Sequence, residues 1–527
     1  ISKAAVFFTK LSVNFCRLFF GKKEKPFDLV AIPKGQVYKD FNVWTLVRRD
    51  DEKAMTDSET GKKLKYEEIN PKNSFIIGTI RMGFGHWRIA IALASAAHKL
   101  GIRSYLLDLM SFTDTSIAKS IKFLENNYNG FSRLSQKWKW FNDHIWEKVT
   151  SKTSLTLDSS MQQRLLSEFF VPAFEKLPEN IPVVAAHPWI AHAAVLNGTK
   201  RVISMIPDNL PLAFWLVEGS IHTVQSPSSY MGYRTLINME KGKPVQHCLK
   251  NEDIIFAGHY VDYELKANIK SDCKARLQRM KNKEPRRFLL TMGGAGAQAK
   301  KFADIAVYCY KYIKNKQAAL LINMGDHKGR WQILKDILDK NKIKYTFHDD
   351  WKKTQKFISE MSSKEVTGIH IFLHSDFYAA VYTTNLLMRQ CDVMITKPSE
   401  LSFYPIPKLF IQRVGRHEAW GAIRGSEIGD GTKEVTTKDI LHRVLTALIE
   451  EDDILKYSID FVLNNDKIYT IEELTKRNEW DMLKTPNFGK KCLEVLKKAM
   501  AKRYLSFTPI PHLQEEIVDS IDQLELS

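Results

Sequence analysis

His86, His187, Asp208 and Ser226 each follow a short apolar run, and together these side-chain types can take up a proton, hold a hydroxyl and bind an anion. Each run reads as a strand, and the ligands of parallel sheets sit beyond the carboxyl ends of the strands. The four residues are therefore expected on one rim. Any one of them alone is commonly a loop hydrogen-bonder; their shared position is the signal. His86 closes the stretch Arg81-Met82-Gly83-Phe84-Gly85-His86, where two glycines let backbone come close to a ligand and a helical pattern follows at once. Helix N-termini favour anions and lower the pKa of a nearby histidine, so His86 is a candidate neutral base beside a phosphate or a hydroxyl. The loop is neither GxGxxG nor a Walker A sequence, because no Gly-Lys-Ser/Thr follows.

The elements that must position these residues come in two sets. In the first, an apolar strand at 75–77 leads through the glycine loop into a helix with Ile89, Leu93, Ala96, Ala97 and Leu100 on one face. Gly101 stops that helix, and a strand ending at Asp108 completes a βαβ unit. Strand patterns at 183–186, 201–206, 223–225 and 254–256 continue the set. In the second, a strand at 287–291 opens onto the turn Met292-Gly293-Gly294-Ala295-Gly296-Ala297 and a helix at 302–312. Strands follow at 318–323, 369–373, 392–396 and 408–411, with a helix at 382–389. Lys397, Ser399 and Glu400 trail the third of these strands, and a loop-rich run at 415–431 carries His417 and Glu418. The expected fold class is α/β, with two Rossmann-like domains facing each other across a cleft. The expected division is a basic amphipathic N-terminal helix (1–25), an accessory segment (26–74), a first Rossmann-like domain (75–261), a linker (262–287), a second such domain (288–450) and a helical C-terminal region with an acidic tail (451–527).

With 527 residues, 44% hydrophobic and 26% charged, the composition is that of a soluble globular protein of more than one domain. The net charge of +18 points to an anionic partner: a nucleotide, an acidic membrane surface or nucleic acid. No helix-turn-helix, RNP-type or zinc pattern supports nucleic acid, and none is expected as a partner. The six cysteines are scattered without a CxxC pair, as for free thiols in a reducing compartment, and no metal site is expected. Residues 1–20, written as a helix, set Ala4, Phe8, Leu11, Phe15 and Leu18 against Lys3, Lys10, Asn14 and Arg17. That pattern fits a helix in a membrane interface or one packed on the protein's own core, and is not that of a signal peptide. Trp138, Trp140, Phe141 and Trp146 alternate with bases, which fits a lipid interface, base stacking or buried tryptophans alike. Lysines recur over 490–505, and the tail from Gln514 has five acids and no bases.

Six stretches, in order, resemble GT-B glycosyltransferases: MGFGHWRIAIAL with LLDL, VVAAHPWIAHAA, RVISMIPDN, WLVEGSIHTVQSPS, LLTMGGAGA, and CDVMITKPSEL with IQRVGRHEAWG. The similarity is to the monogalactosyldiacylglycerol synthases, the diglucosyl-diacylglycerol synthases and the peptidoglycan N-acetylglucosaminyl transferase, and it covers roughly residues 75–450. The resemblance implies an inverting, metal-independent transfer of a sugar from a nucleotide diphosphate, usually UDP-linked, to a lipid or lipid-linked acceptor. It implies no cofactor beyond that substrate, and a place on the cytoplasmic face of a membrane. It implies that His86, with Asp208 nearby, handles the acceptor hydroxyl, and that His187 and Trp189 line the acceptor side. The donor side would comprise Gly83, Gly85, Gly293, Gly294, Gly296, Lys397, Ser399, Glu400, His417 and Glu418. The alternative is a non-catalytic protein of the same fold that binds a lipid or a sugar nucleotide.

Overall fold

The run Ser-Phe-Ile-Ile-Gly-Thr forms a strand whose apolar side chains are covered on both faces, so it lies in the middle of a sheet. This is β3 (Ser74–Thr79), in an eight-stranded sheet ordered β1-β2-β4-β3-β5-β6-β7-β8. Its partners are β1 (Leu29–Ile32), β2 (Val43–Arg48), β4 (Arg103–Asp108), β5 (Val183–Ala185), β6 (Val202–Met205), β7 (Ile221–Val224) and β8 (Ile254–Phe256). All neighbours are parallel except β1, which runs antiparallel to β2. Residues 26–74 thus add two strands to the first lobe's sheet. Gly78 lets the helix Pro188–Leu196 lie directly on β3: a Cβ there would run into the Ile190 side chain.

The second sheet has six parallel strands ordered β11-β12-β10-β9-β13-β14. These are β9 (Arg286–Thr291), β10 (Ala318–Asn323), β11 (Thr346–His348), β12 (Gly368–Phe372), β13 (Val393–Thr396) and β14 (Lys408–Phe410). The helix Ile269–Lys281, within the stretch read as a linker, buries Ile269, Cys273 and Met280 in this lobe's core. The run 415–431, read as loop, contains the helix Ala419–Glu427. The architecture is α/β with two Rossmann-like halves, as the sequence pattern anticipates.

The computed structural model describes residues 24–57, 61–81, 83–137, 156–237, 239, 249–294, 296, 298–413, 415–464, 479, 482, 490–501, 506 and 507, with positions 7, 10, 11, 14 and 18. The tryptophans at 138, 140 and 146, the acidic tail and most of residues 1–25 lie outside this set. Ile1–Leu463 form one compact unit and Asn464–Ser527 a second. In the second, the helix Lys490–Ala501 buries Leu493 and Met500 and exposes Val495, and Lys497 pairs with Glu479 at 2.6 Å. No helix among the described residues is long and apolar enough to cross a membrane.

Candidate functional site

In each sheet the chain leaves a central strand to one side and later returns to the other, and ligands of open α/β sheets bind at such switch points. In the first sheet the switch falls between β3 and β5, whose exits carry His86 and His187. In the second it falls between β9 and β13, whose exits carry Gly293 and Lys397. The two switch points face one cavity of about 470 Å³ between the lobes. Its wall includes His86, His187, Trp189, Asp208, Lys397, Ser399, Glu400, His417 and Glu418, with Gly83, Gly85, Gly293 and Gly294. Ser226 and Gly296 are not on it. Ser226 is buried, bonded to Asn209 and capping the helix Pro227–Thr235. Gly296 turns instead toward Arg330 and His327, in a left-handed conformation with φ of 64°.

Gly83 takes a φ of 78°, open to glycine at little cost, and so turns the chain out of β3 into the helix Phe84–Lys99. His86 is the third residue of that helix. Its Nδ1 lies 2.8 Å from the carbonyl oxygen of Ala186, at the exit of β5. A carbonyl only accepts, so Nδ1 carries the hydrogen and Nε2 is the lone-pair nitrogen. Burial lowers the pKa of His86, opposed by the Ala186 bond and by attraction to Asp208 and Glu400. His187 is wired the other way. Its Nδ1 accepts the Trp189 backbone N–H at 3.2 Å, capping the helix Pro188–Leu196, so the neutral ring carries its hydrogen on Nε2. Burial, then repulsion from His86 4.7 Å away between ring centres, holds its pKa well below the ordinary value. Asp208, beyond β6, accepts from the Trp215 indole at 2.8 Å, and that indole lies 5.9 Å from the His86 ring.

On the second lobe, Lys397 lies over the glycine turn: a Cβ on Gly293 would be 2.7 Å from its Cε. Lys397 pairs with Glu418. Ser399 caps the short turn Glu400–Phe403 by accepting the Leu401 N–H at 3.3 Å. Glu400 faces the first lobe, where Arg88 Nε meets its Oε1 at 3.3 Å. The sequence reading missed Arg88. Its guanidinium is 1% exposed, donates to Asn385 Oδ1 at 2.7 Å and so binds the two lobes together. Asn385 in turn donates to the buried carboxylate of Asp262 at 2.8 Å, whose pKa burial pushes up to about 7. The glycine turns themselves touch: a Cβ on Gly294 would sit 2.8 Å from the Phe84 backbone nitrogen. Among the described residues no group of three or more His, Cys, Asp or Glu side chains is placed to hold a metal ion.

Residues 3–235 match a family model described as a domain of unknown function, DUF6937, and residues 249–474 match a second, DUF6938, so the break between the two matches falls within the first sheet, between β7 and β8. Residues 462–502 match the C-terminal domain of the bacterial RNA polymerase alpha chain. Over 45 residues the chain is 53% identical to the DNA-directed RNA polymerase subunit alpha of Rickettsia akari (strain Hartford), 8% of this chain and 13% of that protein. The same figures hold for the subunit of Rickettsia typhi (strain ATCC VR-144 / Wilmington). The match therefore spans about an eighth of those relatives' length. Among solved structures, the S. aureus MnaA–UDP co-structure overlaps 73% of this chain and 91% of its own, at 14% identity and a TM-score of 0.39. The UDP-GlcNAc 2-epimerase from Neisseria meningitidis bound to UDP-GlcNAc overlaps 81% and 100%, at 10% identity and a TM-score of 0.39.

Proposed function

We propose that the cavity transfers a sugar from a nucleotide diphosphate, UDP-linked, to a hydroxyl of a lipid or lipid-linked acceptor at the cytoplasmic face of a membrane. The transfer inverts the anomeric carbon and uses no metal ion. One observation supports this most. A neutral histidine with its lone pair on Nε2 and a lysine seated over a glycine turn line the same cavity from opposite lobes. An inverting displacement needs a base on one side of the reacting carbon and charge stabilisation for the leaving group on the other.

In this reading the acceptor lies against His187 and Trp189, and its hydroxyl proton passes to His86 Nε2. The hydroxyl oxygen bonds to the anomeric carbon as the bond from that carbon to the diphosphate oxygen breaks. Asp208 and Glu400 stabilise the imidazolium that forms, since both raise the proton affinity of His86. Gly293 and Gly294 amides and the Lys397 ammonium receive the departing charge. Ser399, Glu400, His417 and Glu418 supply hydrogen-bonding groups for ribose and sugar. The test is a thermal-shift screen against UDP, GDP, ADP and TDP sugars, followed by hydrolysis of the best binder. A true donor present at about 100 times its Kd stabilises by about 2.7 kcal/mol. His86→Ala should abolish turnover while UDP still binds; turnover that survives it discards this base. The lipid acceptor is tested by sedimentation with anionic liposomes, which deletion of residues 1–25 should weaken.

A second reading concerns the C-terminal unit alone and is favoured by its polymerase-like match. We infer that this segment contacts DNA, with Lys490, Lys491, Lys497 and Lys498 on its basic helix. Full-length protein should bind duplex DNA with an affinity that falls steeply with salt. Replacing the four lysines by glutamine should remove that binding; equal binding by both proteins defeats the reading.

A further inference from the structure

On the far side of the Gly83–Gly294 contact lies a second cavity, of about 640 Å³, that the reaction above does not use. Gly83, Phe84, Gly294 and Glu125 border both cavities. Its basic wall comes from both lobes: Arg81, Lys119 and Lys122 from the first, Arg330 and His327 from the second. Lys119 and Lys122 stand three apart on the helix Ser116–Lys137 and therefore share a face. Arg81 is already neutralised by Asp108 at 3.2 Å and packs over the Phe377 ring. Lys119, Lys122 and Arg330 have no ion-pair partner among the described residues. Glu125 and Asp326 are the carboxylates on the wall. Cations gathered in a concave space with no ion-pair partner of their own, as Lys119, Lys122 and Arg330 are, repel one another and concentrate an anion there.

We propose that this second cavity binds the phosphate of a phosphorylated small molecule that is separate from the nucleotide donor. In the reading above the donor's diphosphate is taken up at Gly293, Gly294 and Lys397, on the other side of the glycine contact, which leaves Lys119, Lys122 and Arg330 for another phosphate. Lys119 and Lys122 reach that phosphate from one side and the Arg330 guanidinium from the other. An anion held this way bridges the lobes and favours their closed arrangement. The inference stands on the charges of this wall and does not require the glycosyl-transfer reading.

The test is calorimetric titration of the full chain with inorganic phosphate and, separately, with glycerol 3-phosphate, at low salt. Saturable binding of either supports the proposal, and the tighter of the two says whether free phosphate or a phosphomonoester is preferred. Lys119→Gln with Lys122→Gln, and Arg330→Gln by itself, should each weaken that binding by about tenfold or more, because charge-assisted bonds to phosphate are lost. UDP affinity should stay the same in these variants. Lys397→Gln should do the reverse, weakening UDP and sparing phosphate. Both lysines are exposed, so the double variant should fold, which an unchanged melting temperature checks. Phosphate binding that is absent, or that falls only with Lys397→Gln, overturns the proposal. Loss of UDP binding in the wild-type protein with phosphate binding intact would defeat the transfer reading and leave this one standing.

Discussion

Arg88 Nε lies 3.3 Å from Glu400 Oε1, joining the helix that carries His86 to the turn that follows Lys397. The guanidinium also reaches Asn385 Oδ1 at 2.7 Å and is almost wholly buried. Arg88→Met keeps the volume but strands the Glu400 carboxylate and the Asn385 oxygen, and breaking a buried pair from one side costs roughly 3 kcal/mol. Urea denaturation should show that loss. Adding Glu400→Gln should recover part of it, giving a coupling on the order of 1 kcal/mol, whereas strictly additive effects would mean the contact carries no energy.

The wiring of His86 fixes a pH profile. Burial lowers its pKa below the ordinary 6.5, and the proposed transfer needs the neutral ring. Activity should therefore persist as pH falls through 6.5 and decline only at lower pH, where the ring takes up a proton. Asp208→Asn removes an attraction that raises the pKa of His86, so the acid limb should move to lower pH. The rate should fall by about tenfold as the base weakens. A limb that stays where it was would show that Asp208 acts only through its bond to Trp215.

Much of this site is legible in the chain, for a simple reason. Glycines and polar residues immediately behind apolar runs mark strand exits, and β3, β5, β9 and β13 present such exits at the two switch points. Arg88 carries no such mark: it lies within an apolar helical stretch, and its carboxylate partner is 312 positions away. The same holds for the two glutamates on the second lobe's wall of the cavity, since only the fold sends Glu400 to Arg88 and Glu418 to Lys397. The helix Ala419–Glu427 was hidden by Gly421 and Gly425, which look like loop residues. They are small because Ser402 Oγ and the Phe410 ring press on them, each 2.6 Å from where a Cβ would be. Ser226 followed the strand-end pattern but lies beyond β7, away from the switch point, where it serves as a cap.

The contact between the glycine turns predicts a clean steric effect. Gly294→Ala would push its methyl group to within 2.8 Å of the Phe84 nitrogen and against Gly83, both backbone and neither able to swing aside. The lobes must part slightly, and overpacking of this kind costs about 1–3 kcal/mol. The variant should melt lower and, if the proposed donor site is right, bind UDP more weakly, because the two switch-point loops no longer meet. Gly329→Ala, in the first turn of the helix Lys328–Lys340 with nothing within 4 Å, is the matched control: it should leave UDP binding alone and keep or slightly raise the melting temperature. Equal effects from the two would show that helix or turn propensity, and not the interlobe contact, is being measured.

Acid should destabilise the first lobe through its buried neutral histidines. His222 accepts the Val217 N–H at 3.0 Å and donates to the Asp253 carbonyl at 3.1 Å, so both ring nitrogens are satisfied only in the neutral form. Burial pushes its pKa down to about 4, and that of His192 to about 3. A histidine whose folded pKa is depressed leaves stability intact above the unfolded value of 6.5 and loses it as pH falls toward the folded one, because the unfolded chain binds more protons. His222 alone accounts for a loss of roughly 3 kcal/mol between those limits. Urea denaturation across that pH range should show this gain with rising pH, flattening above about 6.5 and offset in part by Asp262, whose pKa of about 7 works in the opposite direction. His222→Gln keeps a donor and an acceptor but cannot titrate, so its curve should be shallower; a slope equal to that of the wild-type protein would place the acid sensitivity elsewhere.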